Sequence, residues 1–246
     1  MKFSRPLIKF QREKWPLRQW VLSLFPSNYE AMTYIEPYSG GGNLLFTKKP
    51  SQIEILNDID GELIGLFHAV RDESDELIRR MNLYKYCAES FETIENKTNF
   101  EDYLDKALHD IMLRKMSKNG LKQKYAKPAG QTAWRNNIST LEGYAERMRE
   151  VFILNKNALE VITAFNSPDT MLYCDPPYLY DGKEITSDIS VEEHMELSRL
   201  LNSFSGKVVL SGCISPLYKR FYKNWNIFKK KINKSNKETE IIWTNF

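Results

Sequence analysis

Asp175, Pro176, Pro177 and Tyr178 follow directly on the apolar run Met171-Leu172-Tyr173-Cys174. Each proline lacks a backbone N–H and fixes φ, so neither a central strand nor a helix continues through them. The spacing predicts a rigid elbow at a strand's C-terminal end, presenting a carboxylate, the Pro176 carbonyl and an aromatic ring. In open α/β sheets ligands bind at that end of the strands. Two adjacent acceptors suit the two N–H groups of an exocyclic amine, and the ring offers a stacking face for a planar base. The element reads as a site for methylating an amine on a nucleobase. The plainer reading is a strand followed by a solvated Pro-Pro turn. The strand before it and a glycine loop upstream favour the functional one.

That loop is Ser39-Gly40-Gly41-Gly42-Asn43, after the strand-like Thr33-Tyr34-Ile35-Glu36-Pro37-Tyr38. Glycines there let the backbone turn sharply and approach a ligand, although such a loop alone is a weak signal. A second strand, Ile53 to Asn57, ends at Asp58, about 20 residues past the loop, where an acid can accept both hydroxyls of a ribose. The alternative is a helix N-cap, a role that Asp60 fits better. No pyrophosphate signature follows, so an adenosine-type cofactor is favoured over a dinucleotide.

The 246 residues suffice for one large domain or for a domain with an insertion. No apolar run approaches the ~20 residues of a membrane span, and the basic start lacks a signal peptide's apolar core. Cys87, Cys174 and Cys213 are dispersed and odd in number. This fits a reducing cytoplasm and gives no metal-ligand set. A cytoplasmic protein without membrane or metal partners is therefore expected. Nothing in the sequence sets the oligomeric state, with a monomer favoured.

Net charge is only +3, but it is unevenly placed. Met112 to Lys127 holds six basic residues (Arg114, Lys115, Lys118, Lys122, Lys124, Lys127) and no acid, and a second basic run spans Lys219 to Lys237. Such runs read as a polyphosphate footprint or, more plainly, as solvated faces. Leu17, Trp20, Val21, Leu24 and Phe25 predict an amphipathic helix, with Pro16 in its first turn and an end near Pro26. Lys9 and Lys14 precede it, placed to meet an anion. Residues 75–150 break the βαβ rhythm with helical, charged sequence, then polar loops at Ser117 to Gly120 and Pro128 to Thr132. Trp134, Arg135, Asn136 and Asn137 can stack on or pair with base edges. The segment reads as an inserted nucleic-acid-recognition domain, or as a helical insert with structural loops. The rhythm resumes with strands at 151–155, at the run ending in Asp175, at 207–211 and at 240–244. Tyr180 to Asp188 is polar and reads as a flap. Ser190-Val191-Glu192-Glu193 matches a capping box.

With Glu36-Pro37-Tyr38-Ser39-Gly40-Gly41-Gly42, Asp58, Asp175-Pro176-Pro177-Tyr178 and Ile242-Trp243-Thr244-Asn245 in that order, nearly the whole chain resembles the Dam-like DNA adenine-N6 methyltransferases, in particular the short bacterial and bacteriophage members. The resemblance implies an α/β, Rossmann-like S-adenosylmethionine-dependent methyltransferase sheet formed by 1–74 and 151–246. A mainly helical target-recognition domain is inserted at 75–150. It implies a site-specific enzyme acting on double-stranded DNA that methylates adenine N6 of a flipped-out base. Asp175, Pro176, Pro177 and Tyr178 would be catalytic. Phe10, Lys14, Tyr38, Ser39, Gly40, Gly42, Asp58 and Asn157 would line the cofactor. Lys9, Arg114, Lys118, Asn119, Lys122, Lys124, Trp134 and Arg135 would meet DNA. Two positions depart from the pattern. Arg12-Glu13 replaces a glycine pair in Lys9-Phe10-Gln11-Arg12-Glu13-Lys14, and Asn157 stands where many relatives carry an acid. The rival readings are cytosine-N4 or RNA adenine methylation, which use similar elbows, and a DNA-binding protein of the same fold with weak or lost turnover.

Overall fold

The structure is a computed structural model and describes residues 3–8, 15–126, 131–180, 183–184, 190–231 and 239–246. Among the described residues the strands are β1 (Thr33–Glu36), β2 (Ile53–Asn57), β3 (Phe152–Leu154), β4 (Thr170–Cys174), β5 (Leu179–Tyr180), β6 (Lys183–Glu184), β7 (Lys207–Gly212), β8 (Asn226–Lys231) and β9 (Thr239–Thr244). Seven of them form one sheet in the order β3-β2-β1-β4-β7-β9-β8, while β5 and β6 pair separately. β2, β1, β4 and β7 are parallel, and β9 runs antiparallel to β7 and β8. This is the Rossmann-like α/β sheet that the sequence leads one to expect. All five residues of β4 are buried, as a continuous apolar strand flanked on both sides by parallel neighbours requires. From β1 the chain passes to β2 on one side, and β4 joins β1 on the other. Strand order therefore reverses between β1 and β4, the point at which α/β sheets open a crevice beyond the strands' C-terminal ends.

By its contacts the chain forms two compact units. The first comprises Met1–Pro16, Gly40–Lys48 and Asp60–Asn155, and the second Leu17–Ser39, Lys49–Ile59 and Lys156–Phe246. The second holds six of the sheet strands with helices α1 (Arg18–Leu22), α8 (Ala158–Ala164), α9 (Val191–Asn202) and α10 (Pro216–Phe221). The first holds α2 (Gly61–Asp72), α3 (Ser74–Met81), α4 (Ala88–Glu95), α5 (Tyr103–Met116), α6 (Gln131–Ser139) and α7 (Leu141–Met148), with β3. Asp60 starts α2, its Oδ1 accepting the N–H groups of Glu62 and Leu63 at 3.0 and 3.2 Å. The stripe Leu63, Ile64, Phe67 and Val70 is buried, as the helical spacing predicts. α5 buries Leu104, Leu108, Ile111 and Met112 in the same way.

Two local readings change. The N-terminal helix is shorter than its apolar spacing implies. After α1 the chain tightens to i→i−3 bonds, Leu24 N–H to Val21 O and Phe25 N–H to Leu22 O at 3.0 and 3.1 Å. The basic run from Lys219 contains two elements the sequence does not announce, α10 and β8. All six residues of β8 are exposed. It lacks the alternation that marks a half-buried strand, and its three lysines suit a sheet edge that must not pair further. The flap expected across 180–188 falls largely outside the described residues.

α9 begins with the expected capping box: Ser190 Oγ accepts the Glu193 N–H at 3.1 Å, and Glu193 accepts the Ser190 N–H at 2.9 Å. Replacing Ser190 with Ala removes one of these two bonds. It is expected to lower unfolding free energy by about 1 kcal/mol, measured by urea denaturation against the parent.

Candidate active site

The C-terminal ends of β1, β2 and β4 carry Pro37 to Ser39, Asp58 and the Asp175 elbow, all in the second unit. One side chain organises two of these ends. Asn57, fully buried at the last position of β2, donates both Nδ2 hydrogens, to Pro37 O at 2.9 Å and Lys156 O at 3.0 Å. Its Oδ1 accepts the Lys156 N–H at 3.0 Å, and its own carbonyl accepts the Ser39 N–H at 2.9 Å. The amide is fully used, and it fixes the turn after β1, the approach to Asp58 and the turn before α8 at once.

Within that frame Tyr38 is half-buried. Burial, and then the neighbouring Cys174, Glu193 and Asp58, push its phenol well above the ordinary range, so it stays neutral. Ser39 is buried, and its hydroxyl has no hydrogen-bond partner among the described residues. Asp58 is half-buried, and since Asp60 caps α2 it is not needed for that role. Asn157 is exposed and caps α8, its Oδ1 accepting the Leu159 N–H at 2.8 Å. In the first unit Gly40 and Gly42 adopt φ of +47° and +65°, the left-handed region where a side chain is strained. Lys9, Phe10 and Lys14 lie outside the described residues.

The elbow is held from two sides. His194 of α9 is buried, with Nε2 2.9 Å from the Pro177 carbonyl. A carbonyl only accepts, so Nε2 carries the hydrogen. Burial lowers the imidazole's pKa, against smaller upward effects from the Pro177 bond and Glu193. The Tyr178 hydroxyl lies 3.0 Å from Asp175 Oδ1 and 2.9 Å from Glu240 Oε1, and Ser211 Oγ donates to the same Glu240 oxygen at 2.7 Å. Burial, then Asp175 and Glu240, raises the Tyr178 phenol far above its usual value and keeps it protonated. Cys174 is fully buried and held as a neutral thiol by that burial and by Asp175, which excludes it as a nucleophile. Asn57, His194 and Glu240 are absent from the sequence reading. Each is a polar residue in or beside an apolar run, and that incongruity is the signal that marks them.

The predicted nucleic-acid contacts divide. Lys118, Lys124 and Arg135 are exposed. Lys118 and Lys124 flank a small turn, closed by a bridge between Ser117 and Tyr125 and by the Lys118 N–H on Lys124 O at 2.8 Å. Asn119 lies in the 3-10 turn Lys118–Gly120 of that segment. Arg114 is buried, its guanidinium 2.8 Å from Asp110. Lys122 turns its ammonium onto Asp110, with Glu62 at 4.0 Å. Trp134 is buried edge-on against Tyr86, and its Nε1 donates to Tyr84 O at 3.4 Å. The expectation of DNA contact is therefore withdrawn for Arg114 and Trp134, whose side chains are enclosed by their own unit. Among the described residues no three His, Cys, Asp or Glu side chains cluster to hold a metal, and no helix is long and apolar enough to cross a membrane.

Residues 13–236 match the family model described as D12 class N6 adenine-specific DNA methyltransferase. The chain is 26% identical to the type II methyltransferase M1.LlaDCHI of Lactococcus lactis subsp. cremoris, over 98% of this chain and 95% of that protein. It is 24% identical to the type II methyltransferase M.CviBI of Paramecium bursaria Chlorella virus NC1A, over 84% and 82%. With the DNA adenine methylase of Escherichia coli strain K12 it shares 25% identity over 72% and 66%.

Two outcomes are expected here. Asn57→Ala leaves the buried Pro37 carbonyl and the part-buried carbonyl and N–H of Lys156 without this partner and is expected to destabilise by about 2 kcal/mol. Asn57→Asp, which cannot donate to those carbonyls, should cost no less; chemical denaturation of both variants decides it. His194 binds a proton less readily folded than unfolded, so its contribution is complete above its ordinary value of 6.5 and declines as pH falls through that value. Thermal melts from about pH 7.5 to about pH 5.5 should show a smaller loss for His194→Gln, which keeps a donor but does not titrate, than for the parent.

Proposed function

The chain belongs to the D12 class N6 adenine-specific DNA methyltransferases and is a site-specific adenine methyltransferase; on that premise we propose that Asp175, with the Pro176 carbonyl, holds the amine of the target adenine. The observation that carries this reading is the elbow at the C-terminal end of the central strand β4. It presents a carboxylate beside a proline carbonyl and a held aromatic ring. An exocyclic adenine amine is a poor nucleophile because its lone pair is delocalised into the ring. Acceptors for both N–H hydrogens favour a pyramidal nitrogen on which the pair is localised, and positioning supplies much of the remaining rate. Tyr178 supplies the stacking face for a base turned out of the helix, a step that costs a few kcal/mol. Pro177 keeps the elbow rigid.

S-adenosylmethionine is the methyl donor in this proposal, and when bound it supplies the electrophilic methyl group. The residues fit it. The buried Ser39 hydroxyl has no partner among the described residues, and a Cβ at Gly40 would meet no atom within 4 Å. Asp58 is assigned to the ribose hydroxyls, and Tyr38, Ser39, Gly40 and Gly42 to the loop that lies against the donor, with Phe10 and Lys14 ahead of them. Asn157 keeps its place in this set. Its oxygen is engaged in capping α8, and it carries no charge toward an adenine amine.

The partner is double-stranded DNA. Residues 75–150 are assigned to recognising the target. Lys118 and Lys124, with Asn119, Arg135 and Lys9, are assigned to the phosphates or base edges. Lys122, drawn onto Asp110, is assigned to holding that turn.

Asp175→Asn retains size but removes the charge and can present N–H to the amine. Turnover should fall on the order of a hundredfold or more, with DNA binding changed far less. Full turnover in a single-turnover assay with labelled donor ends the assignment of Asp175. Replacing Lys118 and Lys124 with Gln should flatten the dependence of DNA affinity on salt, by a log–log slope of about 0.9 per lost phosphate contact. An unchanged slope removes this turn from the DNA surface.

A further inference from the structure

Two carboxylates meet one phenol at the elbow. Tyr178 Oη is 3.0 Å from Asp175 Oδ1 and 2.9 Å from Glu240 Oε1. A phenol carries a single hydrogen and can satisfy only one of them at a time. Glu240 is the second residue of β9 and is buried, and the fully buried Ser211 of β7 already donates to its Oε1. A carboxylate so enclosed is costly unless its hydrogen bonds are made, and the elbow's own ring and the next strand each supply one.

We propose that Glu240 is a positioning residue of the reaction: it shares the Tyr178 proton with Asp175, and so aims the Tyr178 ring and sets the pH at which Asp175 serves as an acceptor. The inference deepens the assignment of Asp175 to the amine and rests on it. Two like charges linked through one proton titrate as a pair, and the charge of each member bears on the other. The Glu240 carboxylate competes with Asp175 for the Tyr178 hydroxyl, which weakens the hold of that hydroxyl on Asp175 Oδ1 in favour of an N–H of the base. The ring is tethered at its far end, so its face is held rather than free to swing about χ1.

Other titratable groups among the described residues lie around this chain of oxygens. Tyr173 of β4 is buried and held protonated by that burial and by the charges of Asp175, Glu240 and Glu36. Glu36 of β1 accepts the Tyr34 hydroxyl at 2.8 Å. Cys174, next to Asp175, remains a thiol. His194 on α9 faces the Pro177 carbonyl and is kept neutral by burial. Lys230 of β8 stands opposite Glu240 in the strand register, its Nζ 5.9 Å from the centre of the Trp20 ring.

The test is the pH dependence of single-turnover methylation of duplex DNA by the full chain with saturating S-adenosylmethionine, for the parent, Glu240→Gln, Tyr178→Phe and Asp175→Asn. Glu240→Gln removes a negative charge beside Asp175, so the acid limb should move to lower pH by roughly one unit. Gln still offers an oxygen to the Tyr178 hydroxyl but not the charge that strengthens that bond, so the plateau rate should fall about threefold to tenfold, with DNA affinity within about twofold. Tyr178→Phe removes the O–H that stabilises the ionised pair, so its acid limb should move the other way, to higher pH. Shifts of opposite sign are a signature that a merely structural role does not produce. If Glu240→Gln does not fold by circular dichroism, the Tyr178→Phe limb alone decides, and an unmoved limb there overturns the proposal. Folded Glu240→Gln with the parent's acid limb overturns it as well. Full activity of Asp175→Asn would instead sink the amine assignment beneath it, so the two failures are told apart.

Discussion

The turns that surround the proposed cofactor and ribose positions hang on one buried amide. The carbonyls of Pro37 and Lys156 converge on the two hydrogens of Asn57 Nδ2. No other uncharged side chain but Gln offers two donors and an acceptor in one plane, and Gln is one methylene longer. Apolar replacement at the end of β2 would keep the strand but strip the buried Pro37 carbonyl and both backbone groups of Lys156 of this partner. The loop after β1, the placement of Asp58 and the start of α8 are thus consequences of a single satisfied hydrogen-bond set. Precision at the strand tips comes from that set more than from the glycines, which permit the loop's course without fixing it.

At the other edge of the site the same economy recurs with charge. The elbow's stiffness in the chain direction comes from two prolines, but its sideways position comes from His194 and Glu240, on elements far along the sequence. An imidazole kept neutral by burial can hold a carbonyl without adding a charge to the site. A buried glutamate does something different and brings a second carboxylate to the phenol that Asp175 also meets. The elbow is thus supported through one of its carbonyls by an imidazole and through its ring by a carboxylate.

Much of this was legible in the sequence, and the reasons are local. Proline pairs, glycine runs, a serine three residues before a glutamate and an aspartate ahead of an apolar stripe all act within a few residues of themselves. The elbow, the loop, the capping box and the Asp60 cap of α2 could be read for that reason. Asn57, His194 and Glu240 could not, because each acts on a partner 17 to 99 residues away. Composition also misled at Arg114 and Trp134. A basic, aromatic stretch reads as a surface, yet α5 turns Arg114 onto Asp110 four residues earlier, a pairing that the i, i+4 spacing does contain. β8 escaped notice because an exposed lysine edge strand has no apolar alternation to detect.

The central pairing of the sheet has a kinetic side. Thr33 of β1 lies beside Thr170 of β4, and more than a hundred residues of chain intervene. Thermodynamically so long an excursion is tolerable, since loop-closure entropy grows only with the logarithm of length. Its effect on rate is larger, because contacts distant in sequence must close before their burial is rewarded. The strand that carries Asp175 is thus set to find β1 late, after the intervening helices have local structure of their own. Substitutions within the helical segment should therefore register mainly in how slowly the protein folds, and those that weaken the late β1–β4 pairing mainly in how quickly the finished protein comes apart.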